Sequence, residues 1–156
     1  DVYKRQFMGT GIIFADKCVE CRTWDTRYRG DLLICTTQRR EVAGIAGHAV
    51  AVVRIAETHP FTEGDIEPAW MESMPERPSY AWTLDDLRLI KPFPVKGRQH
   101  FFNVPDELVD VVAHVDPYDP DYEEFARTIS TYYRPLVYTR GDPDVIALWD
   151  TSRLVG

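Results

Sequence analysis

The residues of this chain that could do chemistry are concentrated just before its first apolar run. Lys17, Glu20 and Arg22 are followed within two residues by Trp24, where a purely structural strand would alternate apolar and polar positions. In a strand, alternation places Glu20, Arg22 and Trp24 on one face, and Lys17 reaches that face only from the turn before the strand. An acid and a base this close can hold each other ionised in a partly buried pocket. A cross-strand salt bridge covered by Trp24 is the competing structural interpretation.

Metal and redox chemistry find less support in the spacing of the cysteines and histidines. Cys18 and Cys21 form a Cys-x-x-Cys pair, a spacing found in zinc and redox sites. In a strand, however, residues three apart point to opposite faces, and no second Cys or His pair has matching spacing. The other candidates occur singly: Cys35, His48, His59, His100 and His114. We therefore expect no metal and no cofactor.

Size and composition indicate an ordinary globular protein. With 156 residues and 44% hydrophobic content, the chain is the size of one domain with a possible C-terminal addition. No apolar run approaches the roughly 20 residues that span a bilayer, and no secretory signal is present. We expect a cytoplasmic protein without a membrane partner, and the sequence leaves its oligomeric state open. Residues 1–6 are what a transposase-adapter string (GAT GTG TAT AAG AGA CAG) encodes, so we expect them to be a sequencing artefact.

The net charge of −7 is unevenly distributed along the chain. Residues 1–102 hold 14 Lys/Arg and 14 Asp/Glu, whereas residues 103–156 hold 4 and 11. Within residues 17–40 there are 6 basic and 3 acidic side chains. A small basic patch on an acidic molecule predicts local rather than broad attraction of nucleic acid.

Short apolar runs between turn signals predict a mostly β core. Strands are expected at 17–24, 32–36, 48–56, the start of 79–90 and 99–104. The run 48–56 is apolar on both faces, which predicts burial on both sides. Residues 91–95 should not form a central strand, because two prolines there remove backbone donors. Thr62 with Asp65 predicts the capped start of a short helix that ends near Met74.

The sequence changes character after Pro105. Residues 106–115 are compatible with a helix or a strand. Asp121 is placed to cap a helix through Tyr133, with Phe125, Ile129 and Tyr132 on its apolar face. Asp142 and Pro143 predict a last helix that buries Val145, Leu148 and Trp149. A hairpin of 136–140 with 145–149 is the alternative.

Three separated stretches resemble the ASCH (activating signal cointegrator homology) domains of the PUA-like superfamily. The family's Gly-x-Lys-x-x-Glu-x-Arg motif stands here as Ala-Asp-Lys-Cys-Val-Glu-Cys-Arg over residues 15–22, followed by Thr-Trp and Tyr-Arg-Gly. The apolar strand 49–55 is the second stretch. The third runs from Tyr-Ala-Trp at 80–82 through Lys-Pro-Phe-Pro-Val-Lys-Gly at 91–97 to the aromatic pair at 101–102. Ala15 replaces the family's glycine, and its usual opening strand and Pro-Trp are absent.

The resemblance implies an α+β fold: a small PUA-like mixed β-barrel over residues 7–104, with short flanking helices. Residues 105–156 would form an acidic, largely helical C-terminal extension. It also implies a cleft lined by Lys17, Glu20, Arg22 and Trp24 that binds RNA or DNA, in RNA metabolism or transcription-related regulation. A small bacterial branch of the family hydrolyses 4-acetylcytidine with the motif lysine, a threonine at the position of Glu20 and a distant glutamate.

Three functional hypotheses follow. In the first, the domain binds RNA, another single strand or a modified nucleoside: Glu20 reads a base edge, and Lys17 lies in the same cleft. The residue that stacks on a base would be Trp24, Tyr28 or Trp82. The phosphate contacts would come from basic side chains, namely Arg22, Arg29, Lys96 and Arg98.

In the second hypothesis, the protein is a metal-independent amidohydrolase acting on an acylated nucleoside. Lys17 would then be the nucleophile or activate water, and Glu20, Glu57 or Glu72 would shuttle protons. Because Glu20 replaces the threonine of the hydrolytic branch and would pair with Lys17, this mechanism carries over less well. In the third, the acidic tail folds over the basic cleft and regulates it.

Overall fold

The computed structural model describes residue 13, residues 17–96 and residues 106–150. The described residues form a five-stranded antiparallel sheet with short helices, an α+β fold. Its strands are β1 (Val19–Arg22), β2 (Asp31–Cys35), β3 (His48–Pro60), β4 (Tyr80–Pro94) and β5 (Val111–His114). Helices α1 (Tyr122–Thr128) and α2 (Pro143–Leu148) follow, and α1 continues into a π turn (Ile129–Tyr133) and a 3₁₀ turn (Arg134–Leu136). None of the described helices is long and apolar enough to cross a membrane.

A long hairpin of β3 and β4 organises the sheet. The two strands pair from His48 opposite Pro94 to Pro60 opposite Tyr80, with three register shifts along the way. β2 lies on the free edge of β3, and β1 and β5 pair with successive segments of β4. Register shifts increase local twist and bend strands, so the hairpin curves around its core.

The first part of β3, residues 49–53, is buried on both faces, as its apolar sequence predicts. Val50 and Ile55 belong to the main core, whereas Ala49 and Val52 belong to a smaller apolar cluster. All four are at most 7% exposed. An unbroken β-branched and small-residue run has no face that could be left in water.

β4 extends into residues 91–95, but its two prolines lie outside the part of the strand that pairs on both sides, as expected. The strand continues through Pro92 to Pro94, paired with β3 on one edge. On its other edge, β5 pairs only with Arg88–Ile90. The prolines therefore lie where the described residues pair with β4 on one side only, and there a missing N–H costs no ladder hydrogen bond.

The helix expected after Thr62 is only a 3₁₀ turn, Glu63–Asp65, followed by further turns. The predicted capping contact is confirmed, because the Asp65 carboxylate accepts from the Thr62 amide at 2.9 Å and its hydroxyl at 3.0 Å. Pro68 explains the early end. It has no N–H, and its carbonyl turns toward β1, where it accepts from the amides of Cys18 and Val19.

The C-terminal segment contributes to the main core. Residues 111–114 are a strand, and the predicted caps are present at Asp121, which accepts from the Glu124 amide, and Asp142, which accepts from the Asp144 amide. The predicted burial of Leu148 is wrong, since 46% of that residue is exposed, whereas Trp149 is 2% exposed and its indole N–H donates to the Ala43 carbonyl.

Tyr133 supplies a second tie between this segment and the sheet. Its ring is fully buried. Its hydroxyl lies within hydrogen-bond distance of two carbonyls, that of Val50 in β3 and that of Ile90 in β4, and can donate to one of them at a time. The same oxygen accepts from the Ile90 amide. Burial raises the pKa of this phenol. A side chain from the tail thus fills the irregular stretch of the β3–β4 ladder near Val50.

Candidate functional site

Lys17, Glu20 and Arg22 form one connected group of charges. The Lys17 ammonium donates to Glu20 Oε2 at 2.6 Å and to the Val19 carbonyl at 2.9 Å. The other carboxylate oxygen, Glu20 Oε1, lies 3.4 Å from Arg22 Nε. Exposure rises outward through the group, from 1% for the Lys17 side chain to 21% for Glu20 and 44% for Arg22. The lysine is therefore the innermost, buried group of the site, and the Glu20 carboxylate and the Arg22 guanidinium are the groups that face solvent.

The strand geometry explains why Lys17 meets Glu20. β1 begins at Val19, so Lys17 precedes the strand, as the parity argument requires. The backbone there is fixed on both sides, by the Pro68 carbonyl and by the Leu84 amide, which donates to the Cys18 carbonyl at 2.8 Å. A lysine held this way can fold back over one turn of chain to reach the carboxylate three residues later.

The sheet register divides nearby residues between two faces. Glu20 and Thr58 both pair with Trp82, so these three side chains lie on what we call the front face. Val19 and Glu57 both pair with Thr83 and lie on the opposite, back face. Glu57, a candidate proton shuttle, is therefore on the wrong side of the sheet from Glu20.

Trp24 packs against the core beside this site. Its ring meets that of Trp82 edge-to-face at a centroid distance of 4.7 Å, and the Trp82 indole donates to the Trp24 carbonyl at 3.2 Å. Trp24 is half-buried and packs against the main core cluster. Its ring therefore has a packing role as well as any role in stacking.

A polar network that the sequence did not reveal anchors the loop after β1 to the front face. Thr58 donates to Asp25 Oδ1 at 2.7 Å and accepts from Arg29 at 2.9 Å. The hydrogen bond from Thr58 lowers the pKa of Asp25. Arg29 is exposed and also donates to the carbonyls of Thr26 and Tyr28. Arg29 thus lies on the same face of the sheet as Glu20, and its guanidinium already donates to Thr58 and to carbonyls of its own loop.

The structure does not bring every predicted residue together. Lys96 is exposed and follows Val95, whose amide donates to the Gly47 carbonyl at the far end of the β3–β4 hairpin. Glu20 lies at the near end, opposite Trp82. Arg98 lies outside the described residues. Lys17, Arg22 and Arg29 form no ion pair with the acidic side chains of the described tail.

Arg54 and Arg88, the other arginines of the described strands, each form an ion pair with an aspartate. Arg54 pairs with Asp85 at 2.6 Å, and Arg88 pairs with Asp31 at 2.6 Å. These guanidinium groups lower the pKa of the partner carboxyl in each pair. The positive charge of Arg54 and Arg88 is therefore compensated by a neighbouring carboxylate, so these two arginines are poorer candidates for contacts to phosphate.

A second titratable cluster, absent from the sequence-based predictions, lies on the back face. His59 bonds Glu57 through Nδ1 and Asp65 through Nε2, the latter at 2.7 Å. Hydrogen bonds to Glu57 and then Asp65 raise the pKa of His59. Burial would raise the pKa of Asp65, but its bonds from Thr62 and His59 lower it. The spacing Glu-x-His in a strand was the available signal, because residues two apart share a face.

The cysteines are not arranged as a metal site. Cys18 is exposed, whereas Cys21 packs with the back-face apolar cluster, and burial raises its pKa. Burial likewise raises the pKa of Cys35 to about 11. In the described ranges, no three His, Cys, Asp or Glu side chains are grouped to hold a metal ion.

Comparison with known proteins gives the family. No curated protein matches the chain. The family model of the ASCH domain matches residues 5–92, which include the Lys17–Glu20–Arg22 group and β1 to most of β4. A match over more than half of the chain, which includes the motif that folds into this site, shows that the chain belongs to the ASCH domain family.

Proposed function

We propose that this ASCH domain binds single-stranded RNA or a modified nucleotide at the Glu20–Arg22 edge of the front face. The observation that carries the proposal is the gradient of exposure, from a buried lysine to a half-exposed arginine. Lys17 holds the carboxylate in one orientation, so little ordering of Glu20 is needed when a ligand arrives. ASCH domains are consistent with RNA-binding or related functions.

The roles in the proposal follow from the chemistry of each group. Glu20 accepts hydrogen bonds from the exocyclic amine of a base, and Arg22 contacts a phosphate. Trp24 offers whatever part of its ring the core leaves exposed for stacking, and Arg29 adds positive charge at the rim. Lys96 and Arg98 contact the backbone of a longer strand farther along the protein.

We further propose that the sheet belongs to a PUA-like β-barrel. Three register shifts in β3–β4 support this, because such irregularities curve a sheet toward closure. Amide hydrogen exchange tests the proposal at the edge of β2 that faces away from β3. Slow exchange there is expected if the barrel closes, and fast exchange would contradict closure.

Hydrolysis of an acylated nucleoside is the alternative, and the geometry favours it less. The Lys17 side chain is 1% exposed and donates to two oxygens, so it has no path to a substrate carbonyl without breaking its pair with Glu20. Glu57 lies on the back face. The proton shuttle would then have to be Glu20 or Glu72, and neither would have an accessible Lys17 to work with.

One experiment separates the two functions. The protein is incubated with 4-acetylcytidine and the products are read by mass spectrometry, while binding of a fluorescent single-stranded RNA is measured in parallel. We expect binding without deacetylation. Release of acetate that is lost in Lys17→Ala would instead establish the hydrolase.

Matched variants localise the binding. Glu20→Gln and Arg22→Gln should each weaken RNA binding about tenfold, since each removes a charge-assisted contact. Arg54→Gln is the control, because it changes the same charge at an arginine already paired with Asp85. Equal losses in Arg22→Gln and Arg54→Gln would assign binding to net charge and contradict the proposed site.

A further inference from the structure

A pocket of about 480 Å³ lies at the end of the molecule away from Glu20. It is formed where the loop before β3 meets the chain after α1, and its lining includes Arg40, Ala46, Leu136, Tyr138 and Arg140. Residues 135–140, which form most of the wall, lie beyond the part of the chain matched by the ASCH model. The Glu20 site does not contribute to it.

The walls of this pocket are fixed by the fold. The Ala43 amide donates to the Tyr138 carbonyl at 2.8 Å, and the Tyr138 amide donates to the Gly44 carbonyl at 3.0 Å. The Trp149 indole holds the Ala43 carbonyl as well. Two backbone bonds and a buried tryptophan therefore join the two segments that form the walls of this open pocket.

The pocket carries positive charge without an internal counter-charge. Arg40 and Arg140 line it, and none of its lining residues is acidic. Among the described residues, neither guanidinium forms an ion pair with a carboxylate, in contrast to Arg39, which lies 3.8 Å from Glu41. The Arg40 guanidinium lies over the Tyr138 ring, 3.8 Å from its centroid, and this cation–π contact holds the planar guanidinium at the pocket wall.

The apolar part of the lining sets the rest of the ligand chemistry. Pro135, Leu136 and Val137 stand beside the two arginines. A volume of this size accommodates a ligand larger than a lone inorganic anion. A planar guanidinium fork matches phosphate oxygens, and an apolar wall matches a sugar or base.

We propose that this pocket binds an organic phosphate ester of nucleotide size, either as a free nucleotide or as the phosphorylated end of an RNA. Arg40 and Arg140 hold the phosphate, and the 135–138 wall contacts the nucleoside. The pocket and the Glu20 site lie at opposite ends of β3, so each is expected to bind without the other.

Calorimetric titration of the full chain with uridine 5′-monophosphate tests this site. Arg40→Gln/Arg140→Gln should weaken binding at least about tenfold, because both phosphate contacts are lost. Arg127→Gln, at an exposed arginine of α1, is the control and should leave this affinity unchanged. Leu136→Glu, at a partly exposed wall position, gives a second route to the same loss by placing a carboxylate beside the phosphate.

Further arms of the titration decide the outcome. Inorganic phosphate and uridine should each bind more weakly than the nucleotide. A 5′-phosphorylated RNA that binds more tightly than its 5′-hydroxyl counterpart, with the difference lost in the double variant, identifies an RNA end as the source. No difference between the two RNAs identifies a free nucleotide. The proposal is overturned if the nucleotide does not bind, if phosphate alone binds equally well, or if the double variant binds like the wild type.

Discussion

The front and back faces of the β1–β4–β3 strip each carry a cluster of three charged or titratable side chains, and the two clusters are built differently. On the front, Lys17 is buried and Glu20 and Arg22 reach outward. On the back, His59 lies between two carboxylates, and Asp65 is itself buried at 8% exposure. The front cluster ends in solvent at Arg22, whereas the back cluster ties β3 to the following turn through His59 and Asp65 and has Glu57 at its exposed end.

This difference separates a binding role from a structural one. In the back cluster, the Asp65 carboxylate is the held group: it accepts from Thr62 and His59 together, whereas Glu57 bonds His59 of the same strand and its side chain is 61% exposed. The outer group of the front cluster, Arg22, is 44% exposed and pairs at a longer distance of 3.4 Å. A carboxylate that is held from behind and open in front is suited to recognise a ligand.

The largest effect is expected from Lys17→Met. It removes the cation beneath Glu20 and leaves a partly buried carboxylate with Arg22 alone, so the free energy of unfolding should fall by about 2–4 kcal/mol. Urea denaturation measures the change. Lys96→Met, at an exposed lysine, should stay within about 0.5 kcal/mol of wild type. Similar stability in both variants would mean that the front cluster is not anchored from within.

Trp24→Ala distinguishes packing from stacking on the front face. Because its ring meets Trp82 edge-to-face and joins the core, we expect a loss of about 2 kcal/mol in stability. Thermal melting measures it, with Tyr28→Ala, at a 46% exposed residue, as the milder comparison. An unchanged melting temperature together with lost RNA binding would make Trp24 purely a stacking platform.

Thr58→Val should loosen the front loop at small cost. The substitution keeps the shape of the side chain but removes the hydroxyl that joins Asp25 to Arg29, a change of about 1 kcal/mol in stability. RNA affinity should decrease, since Arg29 loses one of its anchors. Thr83→Val, on the back face, is the control for RNA binding. Equal effects of both variants on affinity would remove the distinction between the faces.

The smallest effect is a pH dependence of the back face. The pKa of His59 is raised in the folded protein. Its contribution is therefore present in full below the unfolded pKa, about 6.5, and is lost as the pH rises through the folded value. The expected loss is at most about 1 kcal/mol, because the ring is partly exposed.

Urea denaturation at pH values from about 6 to about 9 measures whether stability falls as the pH rises, because this range starts near the unfolded pKa of histidine and extends above it. His59→Gln should flatten the slope, and Asp65→Asn should reduce it while also weakening the Thr62 turn. RNA affinity should not change in His59→Gln at constant pH. An identical slope in wild type and His59→Gln would refute the assignment.

The local features of this molecule could be predicted because they depend on neighbours in the chain. The Lys17–Glu20 pair spans three residues, and the caps at Asp121 and Asp142 use amides two or three residues away. The first part of strand β3, residues 49–53, was predictable because its apolar composition leaves no polar face. The motif that carries the family match is likewise contiguous.

Contacts between distant segments could not be predicted in the same way. Thr58 meets Asp25 across 33 positions, and Tyr133 reaches Val50 across 83. The position of Lys96 and the burial of Trp149 rather than Leu148 also depend on these pairings. Register and bulges decide them, and a shift of one residue reverses the face of every side chain in a strand.

The sequence by itself therefore determined which residues form the front cluster, because their chemistry and spacing are local. Only the tertiary structure decided that Lys17 is the buried member of this cluster, that Glu57 belongs to the opposite face, and that Arg40 and Arg140 share a pocket. The physical reason is that burial and facing are set by the packing of long-range partners, and no local pattern in the chain encodes which partners those are.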